Sequence, residues 1–177
     1  MVCKALTPDY VNDFLSIFRA GLDGLDPIYT GDTIASARET YTAEHVEGLM
    51  AEGRISGCFD GDVLEGILVQ GYADVPGKVT PIVNTTTIPW IMARKPGNGA
   101  GTNLMDYCIE TAREAERNVD VVVVAIAKEN TDAIRFYQKL GFEPNNDFSG
   151  NRALMSFFIS ARVRPHPEDW DKPAAKL

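Results

Sequence analysis

The chain has 177 residues, of which 45% are hydrophobic and 24% are charged. This composition is typical of a globular protein and excludes the disordered, fibrous and membrane classes. A net charge of −8 argues against nucleic acid and acidic membranes as partners, because both are bound through basic patches. The length favours one domain, expected at residues 1–161, with a surface tail at residues 162–177.

Apolar periodicity predicts four strands and two helices in the first half of the chain. The strands are expected at residues 2–6, 54–59, 63–73 and 82–93. The first helix starts at Thr7-Pro8-Asp9 and keeps one face apolar. Gly21 and Gly24 are expected to end it.

The second helix and the first hairpin follow from local signals. A loop through Pro27 and Gly31 leads to a helix that Thr42 caps and Gly53 ends. The Asp60-Gly61-Asp62 turn between two apolar runs is a strong hairpin signal.

The second half of the chain is built around a glycine-rich segment that directly follows the fourth strand. After this segment in the chain we expect a helix to about residue 118, a strand at 121–127, a helix at 130–140, and strands at 142–144 and 153–161. Gly141 is in the position where a left-handed residue ends a helix. Strand, helix and strand in this order predict a right-handed crossover connection.

The glycine-rich segment is the first functional signal. Gly97, Gly99 and Gly101 let the backbone approach a ligand closely and leave several N–H groups free. The helix that follows adds about half a positive charge at its start, so the turn favours a diphosphate. A turn needed only for tight geometry is the alternative. The segment lacks the lysine of a phosphate loop and fits the dinucleotide pattern Gly-x-Gly-x-x-Gly poorly.

Two segments together resemble the GNAT superfamily of N-acetyltransferases. Residues 91–105, with the core Pro96-Gly-Asn-Gly-Ala-Gly101, resemble its acetyl-CoA-binding segment. Residues 130–142 resemble its signature Asn-x-x-Ala-x-x-Phe-Tyr-x-x-x-Gly-Phe. The resemblance implies the GNAT fold, of α/β (α+β) class, with a central mixed sheet of six to seven strands flanked by about four helices.

The same resemblance implies acetyl-CoA as co-substrate, without a metal, and assigns residues to it. Backbone groups of Ile91, Met92 and Ala93 would bind the pantetheine arm. The diphosphate would be held by the N–H groups of Gly97, Asn98, Gly99, Ala100, Gly101 and Thr102. Asn130 would bind the pantetheine amide region and Tyr137 would lie beside the sulfur. A helix cap is the alternative for Asn130, and buried packing is the alternative for Tyr137.

The sequence departs from the family pattern at two positions. The family's Arg or Gln at the start of the loop falls on Pro96, so Arg94 or Lys95 must replace it or its contribution is missing. The glutamate of histone-modifying relatives falls on Thr85, which leaves a water relayed by Thr85 or Thr87 as the base.

The chemistry expected from these residues is direct acetyl transfer to an amine. Tyr137 is the predicted general acid for the departing thiolate, and strand N–H groups would polarise the thioester carbonyl. No acyl-enzyme is expected, because none of the three cysteines belongs to a Cys-His arrangement, and we assign them no chemistry. Asp74, Tyr72 and Thr85 are weak candidates for binding the amine, and ordinary solvated residues explain them equally well.

The predicted function is an acetyl-CoA-dependent N-acetyltransferase that acts on a small-molecule amine. Protein amino groups are an alternative acceptor, and a non-catalytic acyl-CoA-binding module is the alternative function. A homodimer is left open. The amino terminus lacks a signal-peptide pattern, so the cytoplasm is the expected location. The Ala175-Lys176-Leu177 end resembles a peroxisomal address, which makes the peroxisome the alternative for a eukaryotic source.

Overall fold

A computed structural model describes residues 1–25, 28–29, 31–75, 83–115, 118–145 and 152–160. The strands in these ranges are β1 (Val2–Ala5), β2 (Ile55–Asp60), β3 (Val63–Val75), β4 (Val83–Ala93), β5 (Val121–Ala127), β6 (Glu143–Asn145) and β7 (Arg152–Phe158). The helices are α1 (Val11–Leu25), α2 (Gly31–Thr40), α3 (Ala43–Ala51), α4 (Ala100–Glu114) and α5 (Thr131–Lys139), and a 3-10 turn at Pro8–Tyr10 precedes α1.

The seven described strands form one mixed sheet in the order β1-β2-β3-β4-β5-β7-β6. Antiparallel pairing joins β1 to β2, β2 to β3, β5 to β7 and β7 to β6. β4 and β5 run parallel, with Thr85–Thr87 opposite Val121–Val123. A parallel pair needs a crossover connection, which α4 supplies. The predicted α/β class and mixed sheet are confirmed.

One compact unit contains residues 1–70 and 90–107. Helix α1 buries one face in its core, because Phe14, Phe18 and Leu22 recur at a spacing of four residues. The Thr42 hydroxyl accepts a hydrogen bond from the His45 N–H and caps α3 as predicted. The predicted hairpin between β2 and β3 is also confirmed, with Gly61 at φ +59°.

The second unit contains residues 71–89 and 108–177. Strand β5 pairs with β7 along its whole length and buries most of its valines. The buried Asp120 ties three segments together: its Oδ2 accepts from the Asn84 N–H, and its carbonyl accepts from Ile159 and Ser160. Helix α5 ends before Gly141, which has φ +87° as predicted.

Three predictions about the helices are wrong. Helix α1 does not end at Gly21 or Gly24 but continues to Leu25. The loop expected through Gly31 is instead helix α2 from that residue onward, and its apolar face is short because only Ile34 and Ala37 are buried. The helix expected to reach residue 118 ends at Glu114.

Several expectations fall outside the described residues. They include the loop at Pro27 and the tail at 162–177 with its terminal tripeptide. The domain boundary at residue 161 stays a prediction. In the described ranges, no helix combines the length and the apolar character that crossing a bilayer requires.

Candidate functional site

The loop between β4 and α4 has the backbone conformation that its glycines permit. Gly97 has φ +79° and Gly99 has φ +89°, a region that residues with a side chain rarely adopt. A Cβ added at Gly97 would meet nothing within 4 Å, and one at Gly99 would meet only Asn103 Nδ2 at 3.7 Å. The conformation therefore requires glycine here, while the space outside the loop stays open to a ligand.

Asn98 holds this loop in place from its centre. Its Nδ2 donates to Glu65 Oε2 at 2.9 Å, and its Oδ1 accepts from the Ala100 N–H at 3.0 Å. The Ala100 N–H, one of the groups expected to bind a diphosphate, is thus already engaged within the protein. By helix geometry, the N–H groups of Gly101 and Thr102 have no acceptor inside α4 and stay available for an anion.

The two cations at the loop entrance differ in how they are held. Arg94 Nε donates to the Leu64 carbonyl at 2.6 Å, and Arg94 Nη2 lies 3.8 Å from Asp13 Oδ1. The Arg94 N–H also donates to the Glu65 carbonyl at 2.8 Å. Arg94 therefore joins the loop to its surroundings, although its side chain is 39% exposed, and Lys95 is exposed as well. Of the two proposed replacements for the family arginine, Arg94 is held by the hydrogen bond to the Leu64 carbonyl.

A cleft of about 460 Å³ lies beside the end of β4, within the first unit. Its walls are Ser16, Ile17, Ala20, Gly21, Gly24 and Leu25 of α1 and Ile91, Met92, Ala93, Arg94 and Pro96 of the strand and loop. The volume falls within the range of about 300 to 1,000 Å³ that is usual for small-molecule sites. The structure thus places the three predicted pantetheine-binding residues in one cleft that continues to the start of the glycine loop.

Two glycines of α1 contribute to this cleft for different reasons. A Cβ at Gly21 would lie 2.3 Å from Met92 Sδ, so glycine is needed there for α1 to approach β4. A Cβ at Gly24 would meet nothing within 4 Å. Gly24 therefore has no packing requirement, and its missing side chain leaves the cleft wider. Sequence reasoning took both glycines for a helix end and missed the wall of the cleft.

Asn130 and Tyr137 lie in the second unit and have structural roles there. Asn130 Oδ1 accepts from the Ala133 N–H at 3.2 Å and caps α5. Tyr137 is 4% exposed, and its ring packs edge-on against Phe136 and Phe142 at centroid distances of 5.0 and 5.2 Å. The structure therefore shows the cap and the packing, and the roles toward the co-substrate stay predictions.

The weak acceptor-binding candidates have very different exposures. Thr85 is 2% exposed in β4, whereas Tyr72 of β3 is 45% exposed. Asp74 belongs to β3, but its side chain lies outside the described residues. Glu65, which also belongs to β3, accepts a hydrogen bond from Asn98. Among the described residues, no cluster of three or more His, Cys, Asp or Glu side chains is arranged to hold a metal ion.

Comparison with known proteins identifies a family match within the chain. The model of the acetyltransferase (GNAT) family matches residues 91–142, which include the glycine loop and helix α5. The chain has the GNAT fold, and residues 91–142 are the segment that matches the GNAT family model. No curated protein matches the sequence significantly.

Solved structures support the GNAT fold at low sequence identity. The PaiA N-acetyltransferase from Thermoplasma acidophilum, in complex with coenzyme A, is 15% identical with a TM-score of 0.73, over 89% of this chain and 98% of its own. YncA from Salmonella typhimurium, with its cofactor acetyl-CoA, is 15% identical with a TM-score of 0.66, over 94% and 98%. The ribosomal-protein-alanine N-acetyltransferase from Brucella melitensis is 16% identical with a TM-score of 0.64, over 90% and 100%.

Proposed function

We propose that this GNAT protein is an enzyme that transfers the acetyl group of acetyl-CoA directly to the amine of a small molecule. The observation that carries the proposal is the glycine loop: two left-handed glycines open the backbone at the start of α4, directly after a strand that lines a ligand-sized cleft.

The donor fits this site group by group. The N–H groups of Gly97, Gly99, Gly101 and Thr102, together with the positive end of α4, stabilise the diphosphate, and Lys95 adds a charge. Asn98 and Ala100 contribute by fixing the loop through their mutual hydrogen bond.

The pantetheine arm lies in the cleft beside β4. Its amides pair with backbone groups of Ile91, Met92 and Ala93, as an added strand would, while its methylene groups pack on apolar walls such as Ile17 and Leu25. The complexes of PaiA with coenzyme A and of YncA with acetyl-CoA, both of similar fold, support this assignment.

The transfer step needs a neutral amine, a polarised carbonyl and a proton for the thiolate. An alkylamine has a pKa of about 10.4, so water relayed by Thr85 or Thr87 removes its proton before attack. Strand N–H groups stabilise the oxyanion. Tyr137 is the general acid, proposed from its position in the segment 130–142, and its hydroxyl protonates the departing sulfur.

The acceptor is proposed to be a small cationic molecule bound near Tyr72, Asp74 and Thr85. The net charge of −8 attracts such a molecule. A protein amino group is the second acceptor class, and the similarity in fold to a ribosomal-protein-alanine N-acetyltransferase is the observation that favours testing it.

The decisive experiment measures thiol release from acetyl-CoA with a panel of polyamines, amino acids, aminoglycosides and peptides, beside the binding of acetyl-CoA by calorimetry. We expect saturable binding and turnover with at least one small amine. Turnover with peptides only would mean that the acceptor is a protein amino group and not a small molecule. Binding without turnover on the whole panel would favour the non-catalytic module, for which Thr85 in the glutamate position is the supporting observation.

A further inference from the structure

Two of the three cysteines face each other across neighbouring strands. Cys3 of β1 is the direct partner of Cys58 of β2 in the antiparallel register. In the same register the Leu6 N–H donates to the Ile55 carbonyl at 2.9 Å, which makes that pair a hydrogen-bonded one. Hydrogen-bonded and non-hydrogen-bonded pairs alternate along antiparallel strands, so the Cys3–Cys58 pair is of the non-hydrogen-bonded kind.

This kind of pair brings side chains closest together. Directly opposite residues point to the same face of the sheet, with Cα atoms about 4.5 Å apart in a non-hydrogen-bonded pair. Disulfides span Cα distances of about 4.4 to 6.8 Å, so the backbone can accept a disulfide at this position without moving apart. Both cysteines are free thiols, Cys3 half-buried and Cys58 fully buried.

We propose that Cys3 and Cys58 form a dithiol site that a small disulfide, such as oxidised glutathione, converts into a cross-strand disulfide. The thiolate of the accessible Cys3 attacks the small disulfide and releases one molecule of reduced thiol. The Cys58 sulfur then attacks the Cys3 sulfur of the mixed disulfide and releases the second thiol. The two protein thiols are thereby oxidised and the small disulfide is reduced to two thiols.

The surroundings of the cysteine pair set the rate at which its disulfide forms. Burial and the hydrogen bond with the Cys58 side chain raise the pKa of Cys3 to about 12. Since only the thiolate attacks, the exchange is slow at neutral pH and accelerates as the pH rises toward that pKa. The dithiol site therefore oxidises under sustained exposure to a small disulfide. A redox sensor whose cysteine has a low pKa would instead react fast.

Closure of the bond joins the ends of the segment 3–58, which contains α1, α2 and α3. The disulfide reduces the freedom of the unfolded chain, so the oxidised protein should melt higher by roughly 5–10 °C.

The test incubates the whole purified protein with oxidised glutathione at pH 7 and pH 9, blocks the remaining thiols and maps the products by mass spectrometry. We expect one blocked cysteine per chain, which is Cys108, and a peptide pair joined through Cys3 and Cys58. The disulfide should form faster at pH 9 and should be reduced again by dithiothreitol. The Cys108→Ser variant should react as the wild type does, and Cys3→Ser should form no intramolecular bond.

Three results would overturn the proposal. They are the blocking of all three cysteines after prolonged exposure, a stable mixed glutathione disulfide at Cys3 with Cys58 still reduced, and a disulfide that involves Cys108. Because Cys3 is only half-buried, Cys3→Ser is a variant whose folding can be verified by its melting curve before the exposure. The outcome does not depend on acetyl-CoA, so the proposed enzymatic function can fail without affecting it.

Discussion

The glycine loop and helix α5 both lie in the segment that matches the GNAT family model, but their residues are held by different means. In the loop, Gly97 and Gly99 adopt their conformation with open space outside them, and Asn98 fixes the turn from within. In α5, Asn130 caps the helix and Tyr137 packs between two phenylalanines. A substitution in the loop should therefore change ligand binding with little change of the fold, whereas one in α5 should be designed to keep the cap and the packing.

The largest expected effect tests the α5 side of this comparison. Tyr137→Phe keeps the ring that packs on Phe136 and Phe142 and removes only the hydroxyl. If that hydroxyl is the general acid, kcat should fall about 10²- to 10⁴-fold with KM for acetyl-CoA nearly unchanged. Steady-state kinetics over a range of pH measures this.

Tyr10→Phe is the matched control, because Tyr10 packs edge-on against Phe59 in the other unit and its hydroxyl accepts a long bond of 3.5 Å from Lys4. It should keep the wild-type kcat. A Tyr137→Phe enzyme with full kcat and an unchanged pH profile would leave Tyr137 with a packing role alone.

The next effect tests the loop. Gly99→Val puts a β-branched side chain at φ +89° and into the space where the diphosphate would lie, so the affinity for acetyl-CoA should fall by roughly 100-fold. The backbone strain should cost about 1–3 kcal/mol of unfolding free energy. Calorimetry and urea unfolding measure the two quantities.

Gly53→Val introduces the same kind of strain at φ +69°, in the turn after α3 where a Cβ meets nothing within 4 Å. It should lose similar stability and keep its affinity for acetyl-CoA. Equal losses of affinity in both variants would mean that strain in general, rather than the loop, weakens binding.

A smaller effect is expected at Asn98. Asn98→Ala removes the bond to the Ala100 N–H and the bond to Glu65, which should cost about 1 kcal/mol and, because the loop loosens, weaken acetyl-CoA binding about 3- to 10-fold. Thr42→Ala removes the equivalent cap of α3 and should cost a similar amount without any change in affinity. If Asn98→Ala binds acetyl-CoA as tightly as Thr42→Ala does, Asn98 has no role in ordering the donor site.

The smallest effect concerns the wall of the cleft. Gly24→Ala and Gly48→Ala both replace helical glycines whose Cβ would meet no atom within 4 Å, so each should stabilise the protein by up to about 1 kcal/mol. Only Gly24 lines the cleft, and only its variant should raise KM for acetyl-CoA, about two- to fivefold. Identical kinetics in the two variants would place the ligand elsewhere.

The sequence predicts most of this fold because its signals are local. Alternating and periodic apolar residues locate the strands and α1, the Thr42 cap locates α3, and Asp60-Gly61-Asp62 locates the hairpin. Helix α2 is missed because only Ile34 and Ala37 are buried, which gives its apolar face too weak a period to recognise. Gly21 is misread because its reason, the Met92 side chain, lies about 70 residues away in sequence and is not visible to local rules.

The features of the candidate site also divide into those that local sequence predicts and those that it does not. The left-handed glycines of the loop and the cap at Asn130 follow from residues that are adjacent in sequence. Other features depend on strand register. They are the hydrogen bond between Asn98 and Glu65, the hydrogen bond from Arg94 to the Leu64 carbonyl, and the facing thiols of Cys3 and Cys58. Register is a tertiary property, so single-sequence reasoning cannot supply it.

The most direct test of the account is a calorimetric titration of the purified protein with acetyl-CoA, with its melting temperature measured in parallel. We predict a saturable heat with one donor per chain, and a melting temperature that rises with donor concentration because the ligand binds only the folded state. Gly99→Val should lose both signals and Gly53→Val should retain them. A folded wild-type protein that gives neither heat nor thermal stabilisation at millimolar acetyl-CoA would contradict the assignment of the loop and cleft as a donor site.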